Sequence, residues 1–126
     1  MNRTILLVED EPMLRELMHL ELMGHGFEVT LARNGQEAID VIGDCVPDLI
    51  LLDLLMPKVD GYGVLSYLQE QGIATPVIIL SNLSDTEEWE KCRQLGAQEF
   101  LVKNNFDSVE LWGKVEKYLL SPAVNR

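Results

Sequence analysis

Leu49 to Gly61 reads LILLDLLMPKVDG: an apolar run, Leu49 to Leu52, that delivers one carboxylate, Asp53, and then breaks at Pro57 and again at Asp60-Gly61. A charge on a continuous Leu/Ile strand is costly to bury unless the strand stops there and presents it to solvent or to a cation. Asp53 is therefore either a turn residue at a strand end or a reactive group. The company it keeps in the fold decides between the two.

Working outward, short apolar runs alternate with helix-like segments five times, at Ile5 to Val8, Val29 to Ala32, Leu49 to Leu52, Val77 to Leu80 and Phe100 to Val102. This is the pattern of a doubly wound α/β fold, a parallel sheet with crossover helices on both faces. Pro12 suits the first position of a helix, with Asp10 and Glu11 near the positive end of its dipole. Leu14, Leu17 and Met18 give that helix a buried stripe, and Gly24-His25-Gly26 ends it. Asn34-Gly35 opens a second helix closed by Gly43 and Pro47, and Gly63 to Glu70 forms a third that packs through Val64, Leu65 and Leu68. Ser84-Asp85-Thr86-Glu87 matches a capping box and sets a helix start near residue 85, after which Trp89, Cys92 and Arg93 share one face. Asp107 or Ser108 can cap a last helix that docks through Val109, Trp112, Val115 and Leu119. His19 and His25 lack ligand-spaced partners and read as surface or packing residues.

At 126 residues the chain fits one domain, residues 1–120, with a short tail at 121–126. The net charge of −11 and the scatter of its ten basic residues argue against a nucleic-acid surface. No apolar run approaches a membrane span, and the start MNRTILLVEDEP does not read as a secretory signal, so a cytoplasmic protein is expected. Cys45 and Cys92 lie far apart with no neighbouring His, which suggests two reduced thiols rather than a zinc site or a disulfide.

In an open parallel sheet, ligands bind outside the carboxyl ends of the strands. This chain puts Glu9 and Asp10 there after the first run, Asp53 after the third, Ser81 after the fourth and Lys103 after the fifth. Carboxylates drawn together repel; two unit charges about 4 Å apart cost about 4 kcal/mol at an effective dielectric near 20. A hard divalent ion, Mg²⁺ by preference, resolves this while keeping waters and leaving oxygens for a phosphoryl ligand. Lys103 adds a point charge for phosphate oxygen and Ser81 a hydroxyl donor. No glycine-rich loop follows the first run, which argues against a nucleotide or flavin cradle.

With these residues in place, the chain over residues 3–120 resembles a receiver domain of two-component response regulators. The likeness rests on Glu9-Asp10, on the string from Asp53 through Met56-Pro57 to Asp60-Gly61, on Ser81 and on Lys103 after Phe100-Leu101-Val102. It implies a flavodoxin-like sheet of order 2-1-3-4-5 with five helices. It also implies phosphorylation of Asp53 by a sensor histidine kinase or phosphotransfer protein, with Asp53 ionised at neutral pH. By the same resemblance Asp10, Asp53 and the backbone carbonyl of Leu55 would bind Mg²⁺ (or Mn²⁺), with Glu9 acting partly through water. Lys103 would pair with the phosphoryl oxygen, and Ser81 would move toward it and let Phe100 turn inward. That switch would act through the fourth helix, fifth strand and fifth helix on a downstream protein target or output domain, a signalling role rather than an enzymatic one.

Two departures stand out from the family pattern. Asn104 replaces the proline that often follows the lysine, so a trans peptide is expected at Lys103-Asn104. Leu55 and Leu83 occupy the positions that flank hydrolytic water in the family, and neither can orient it by hydrogen bonding, so slow loss of the phosphoryl group is expected. The competing readings are a degenerate receiver acting as a scaffold and, less well supported because Leu55 stands where an acid is commonly needed, an Asp-nucleophile phosphatase.

Overall fold

A computed structural model describes residues 3–54, 60–81, 86–103 and 107–119. In chain order the elements are β1 (Thr4–Val8), α1 (Pro12–Gly24), β2 (Glu28–Ala32), α2 (Gly35–Asp44), β3 (Leu49–Asp53), α3 (Gly61–Glu70), β4 (Val77–Ser81), α4 (Thr86–Gln94), β5 (Glu99–Val102) and α5 (Ser108–Leu119). The strands form one parallel sheet in the order β2-β1-β3-β4-β5. β3 and β4 are buried along their whole length, as covering on both faces requires. No helix among the described residues is long and apolar enough to cross a membrane.

Side chains alternate across a strand, and two cores result. Leu6, Val8, Ile50, Leu52, Val77 and Ile79 pack under α2, α3 and α4, while Ile5, Leu7, Leu49, Leu51, Ile78 and Leu80 pack under α1 and α5.

Capping follows the local chemistry. Asn34 accepts from the Glu37 N–H at 2.9 Å, Asp60 from the Gly63 N–H at 3.0 Å and Asp107 from the Val109 N–H at 2.9 Å. The last of these settles the choice between Asp107 and Ser108, and the second starts α3 two residues earlier than Gly63. α2 runs through Gly43 to Asp44 rather than closing at the glycine. Ser84 and Asp85 of the expected capping box lie outside the described residues, as does Asn104 with its peptide bond, and residues 121–126.

Three expectations about helix faces are corrected. On α1 the buried residues are Met18 and Leu22, whereas Leu17 faces solvent. On α5 Leu111, Val115 and Leu119 are buried while Val109 is exposed. On α4 Cys92 is buried and Trp89 packs on the core, but Arg93 points outward and pairs with Glu90. His25 takes a packing role, its ring stacked on Trp112 at 3.6 Å between centroids. Cys45 is exposed and Cys92 buried, both free thiols.

Candidate functional site

The register of the sheet builds the site. Val8 pairs with Leu52, so Glu9 continues the row Ile5-Leu7 beside Asp53, which continues the row Leu49-Leu51. On the other side Asp53 pairs with Leu80 and Ser81 with Val102, which brings Ser81 and the start of the Lys103 loop to the same end of the sheet. One atom each from Glu9, Asp10 and Asp53 lies within 4.8 Å of the others. Glu9 is fully buried and Asp53 and Ser81 are each 2% exposed, while Asp10 is open to solvent.

Lys103 closes the site from β5. Its Nζ donates to Glu9 Oε2 at 2.9 Å and sits 3.3 Å from Asp53 Oδ2. The Glu11 N–H also donates to Glu9 Oε2, at 3.1 Å, but Glu9 Oε1 is buried with no hydrogen-bond partner among the described residues. An orphaned carboxylate oxygen beside two more acids is the donor set a hard divalent cation takes. The residues present therefore fit such an ion.

The electrostatics differ from the expectation of an ordinary aspartate. Burial, then the Glu9 charge, then a hydrogen bond with Asp10 push the Asp53 carboxyl up to about 7, and Lys103 only partly offsets them. Burial likewise raises Glu9 against the pull of Lys103. Burial alone would lower Lys103, but Glu9 and Asp53 together hold it above the usual lysine value. Asp53 thus holds its proton more tightly than an ordinary aspartate does.

Gly61 explains why the loop after Asp53 carries a glycine. A Cβ there would meet the Asp53 carbonyl oxygen and Leu54 Cα, each at 2.8 Å, and the Gly61 N–H donates to the Leu54 carbonyl at 2.9 Å. Phe100 is half-buried on β5 and meets the Trp89 ring edge-on at 5.8 Å. Leu55, whose backbone carbonyl is expected to bind the metal, and Leu83, expected with it to flank hydrolytic water, lie outside the described residues.

Two contacts escaped sequence reasoning. The Arg15 guanidinium donates to the Glu9 carbonyl at 2.9 Å; its place one turn into α1, four residues after Glu11, was the available signal. Tyr62, next to Gly61, donates its hydroxyl to Glu88 on α4. No spacing rule points to that contact.

The response regulator receiver domain model matches residues 5–116. A probable transcriptional regulator ycf27 of Porphyridium aerugineum is 36% identical over 91% of this chain, which covers 47% of that protein. The regulator of RpoS of Escherichia coli K12 is 31% identical over 81% of the chain and 30% of its own length. The chain thus spans half or less of the length of these curated relatives. Among solved structures, the Francisella response regulator 1452 receiver domain is 32% identical with a TM-score of 0.87, covering 93% of this chain and 96% of that one. The Vibrio cholerae chemotaxis protein CheY4 is 26% identical with a TM-score of 0.88, covering 94% and 100%. Sequence, fold and the acids gathered at the strand ends agree, and the chain belongs to the response regulator receiver domain family.

Proposed function

We propose that this receiver domain is a phosphorylation-controlled signalling module in which Asp53 accepts a phosphoryl group from a sensor histidine kinase or a phosphotransfer protein. The observation that carries the reading is the convergence of Glu9, Asp10 and Asp53 within 4.8 Å, with Lys103 on both buried acids. A carboxylate oxygen of Asp53 forms the bond to phosphorus as the bond from phosphorus to the donor's imidazole nitrogen breaks, the nitrogen keeping the electron pair. Glu9, Asp10, Asp53 and the Leu55 carbonyl would hold Mg²⁺ (or Mn²⁺). When bound, that ion offsets the repulsion among the carboxylates and neutralises charge on the phosphoryl oxygens.

The protein's own groups do the rest. Lys103, already held beside Asp53, turns its ammonium to a phosphoryl oxygen. The Ser81 hydroxyl donates to another, and its displacement frees space into which Phe100 turns. The face formed by α4, β5 and α5 then changes shape for a downstream protein partner or for an output domain outside these residues, with no direct nucleic-acid contact from the receiver. Relatives named as transcriptional regulators, and longer than this chain, support such an output domain. By the family resemblance Leu55 and Leu83 hold the sequence positions that tune hydrolysis, and neither side chain can orient water by hydrogen bonding, so the aspartyl phosphate would be long-lived.

Incubation with Mg²⁺ and acetyl phosphate tests the reading by mass spectrometry. The chain gains one phosphoryl group and Asp53→Asn gains none. No gain by the parent chain would instead favour a phosphorylation-independent scaffold. Loss of the group within seconds would refute the long lifetime.

A further inference from the structure

We infer that Arg15 is a positioning residue for the carboxylate pair Glu9-Asp10, acting through the peptide bond that joins them. The inference rests on the reading of the site as a divalent-cation and phosphoryl centre. Glu9 is held at nearly every polar atom. Its N–H donates to the Ala32 carbonyl on β2 at 3.0 Å, and its Oε2 accepts from the Glu11 N–H and from Lys103. Its carbonyl accepts from Arg15 Nη1 at 2.9 Å.

That carbonyl is the handle on Asp10. The peptide is planar, so fixing the Glu9 C=O also fixes the Asp10 N–H and the direction in which the Asp10 Cα leaves the strand. Asp10 is the exposed member of the triad, outside the packed end of the sheet. Arg15 can act as a fixed strut because the first turn of α1 is anchored to the same loop: the Arg15 N–H donates to the Glu11 carbonyl at 2.9 Å. One arginine thereby ties the Glu9-Asp10-Glu11 loop to α1 by side chain and by backbone.

The proposal separates cleanly from a purely electrostatic role, because the two have opposite signs. Removing a cation bound to the Glu9 carbonyl, next to an acidic site, by itself favours a bound dication. Removing the strut lets the Glu9-Asp10 peptide rotate, so the ligands must be ordered again on binding, which disfavours it.

Mg²⁺ titration calorimetry of the parent chain, R15M and R15K at fixed ionic strength tests this, with the unfolding midpoint of each in EDTA recorded alongside. R15M keeps the helix-compatible stem and loses the donor; its Mg²⁺ affinity is expected to fall about tenfold, the scale seen when groups orienting metal ligands are lost. R15K retains a donor and the charge without the planar fork and is expected to fall between the two. If R15M does not fold, R15K carries the test through its smaller loss, and unchanged affinity there overturns the inference. R15M that binds Mg²⁺ as tightly as the parent, or more tightly, overturns it too. A parent chain that binds no Mg²⁺ overturns the reading of the site itself.

Discussion

Replacing Asp53 with Asn should stabilise the metal-free domain, and the gain should depend on pH in a defined sense. Asp53 is 2% exposed and its carboxyl is raised from an ordinary 3.8 to about 7 by burial, by Glu9 and by Asp10. The folded state therefore holds the Asp53 proton more tightly than the unfolded chain does. The stabilisation this provides is fully present below about pH 4 and is lost as pH rises through about 7. Above that, keeping the ionised group folded costs at most about 4 kcal/mol, at about 1.4 kcal/mol for each tenfold change in proton affinity. Asn keeps the shape without the charge. In EDTA at pH 8 the variant should gain up to about 4 kcal/mol, or roughly 15 °C in midpoint for a domain of this size. The gain should shrink steadily on acidification toward pH 4, and saturating Mg²⁺ should narrow it by stabilising the parent more than the variant. Urea unfolding followed by circular dichroism measures all three. A variant no more stable than the parent at pH 8, or a gain that grows as pH falls, would refute the electrostatic account.

Lys103→Met leaves Glu9 and Asp53 buried without their shared cation and should destabilise the EDTA form by about 3 kcal/mol at pH 8 by urea unfolding. Gly61→Ala drives a Cβ into backbone at 2.8 Å, so the Asp53-Leu54 segment must shift; a loss of about 2 kcal/mol and slower acetyl-phosphate uptake should follow. Tyr62→Phe removes the α3 to α4 hydrogen bond to Glu88 and should cost about 1 kcal/mol in denaturant unfolding while leaving Mg²⁺ binding intact. With a thiol reagent at pH 8, one cysteine should react in the native protein, Cys45. Cys92, fully buried with its thiol raised to about 11, should react only on unfolding.

The parallel sheet was legible because β1, β3 and β4 are apolar on both faces, a pattern that few other structures tolerate. The helices were legible as helices but less so as faces. α1 carries two neighbouring apolar lines, Met13-Leu17-Leu20 and Leu14-Met18-Leu22, and spacing alone does not tell which one meets the sheet. The sheet selects the second, leaving Met13, Leu17 and Leu20 in solvent. The same ambiguity separates Val109 from Leu111 on α5. Contacts such as Tyr62 to Glu88, or Glu99 to Lys114, Lys117 and Tyr118, join residues brought together only by tertiary packing. No local pattern encodes them.

The site residues were legible for a different reason: each breaks a rule its neighbours obey. Glu9, Asp53 and Ser81 are polar residues placed where the apolar rows beside them would continue. What one-dimensional reading missed was the degree of burial, and with it the raised proton affinity of Asp53. An aspartate at an exposed strand end would be ionised and always ready to react. Buried beside Glu9, Asp53 shares its site between a proton, the Lys103 ammonium and any divalent ion the acids can hold. A proton and a metal compete for the same oxygens, so binding of any such ion and ionisation of Asp53 are thermodynamically linked. On the function proposed above, the burial that destabilises the empty site would make Asp53 reactive chiefly when a divalent cation is bound beside it.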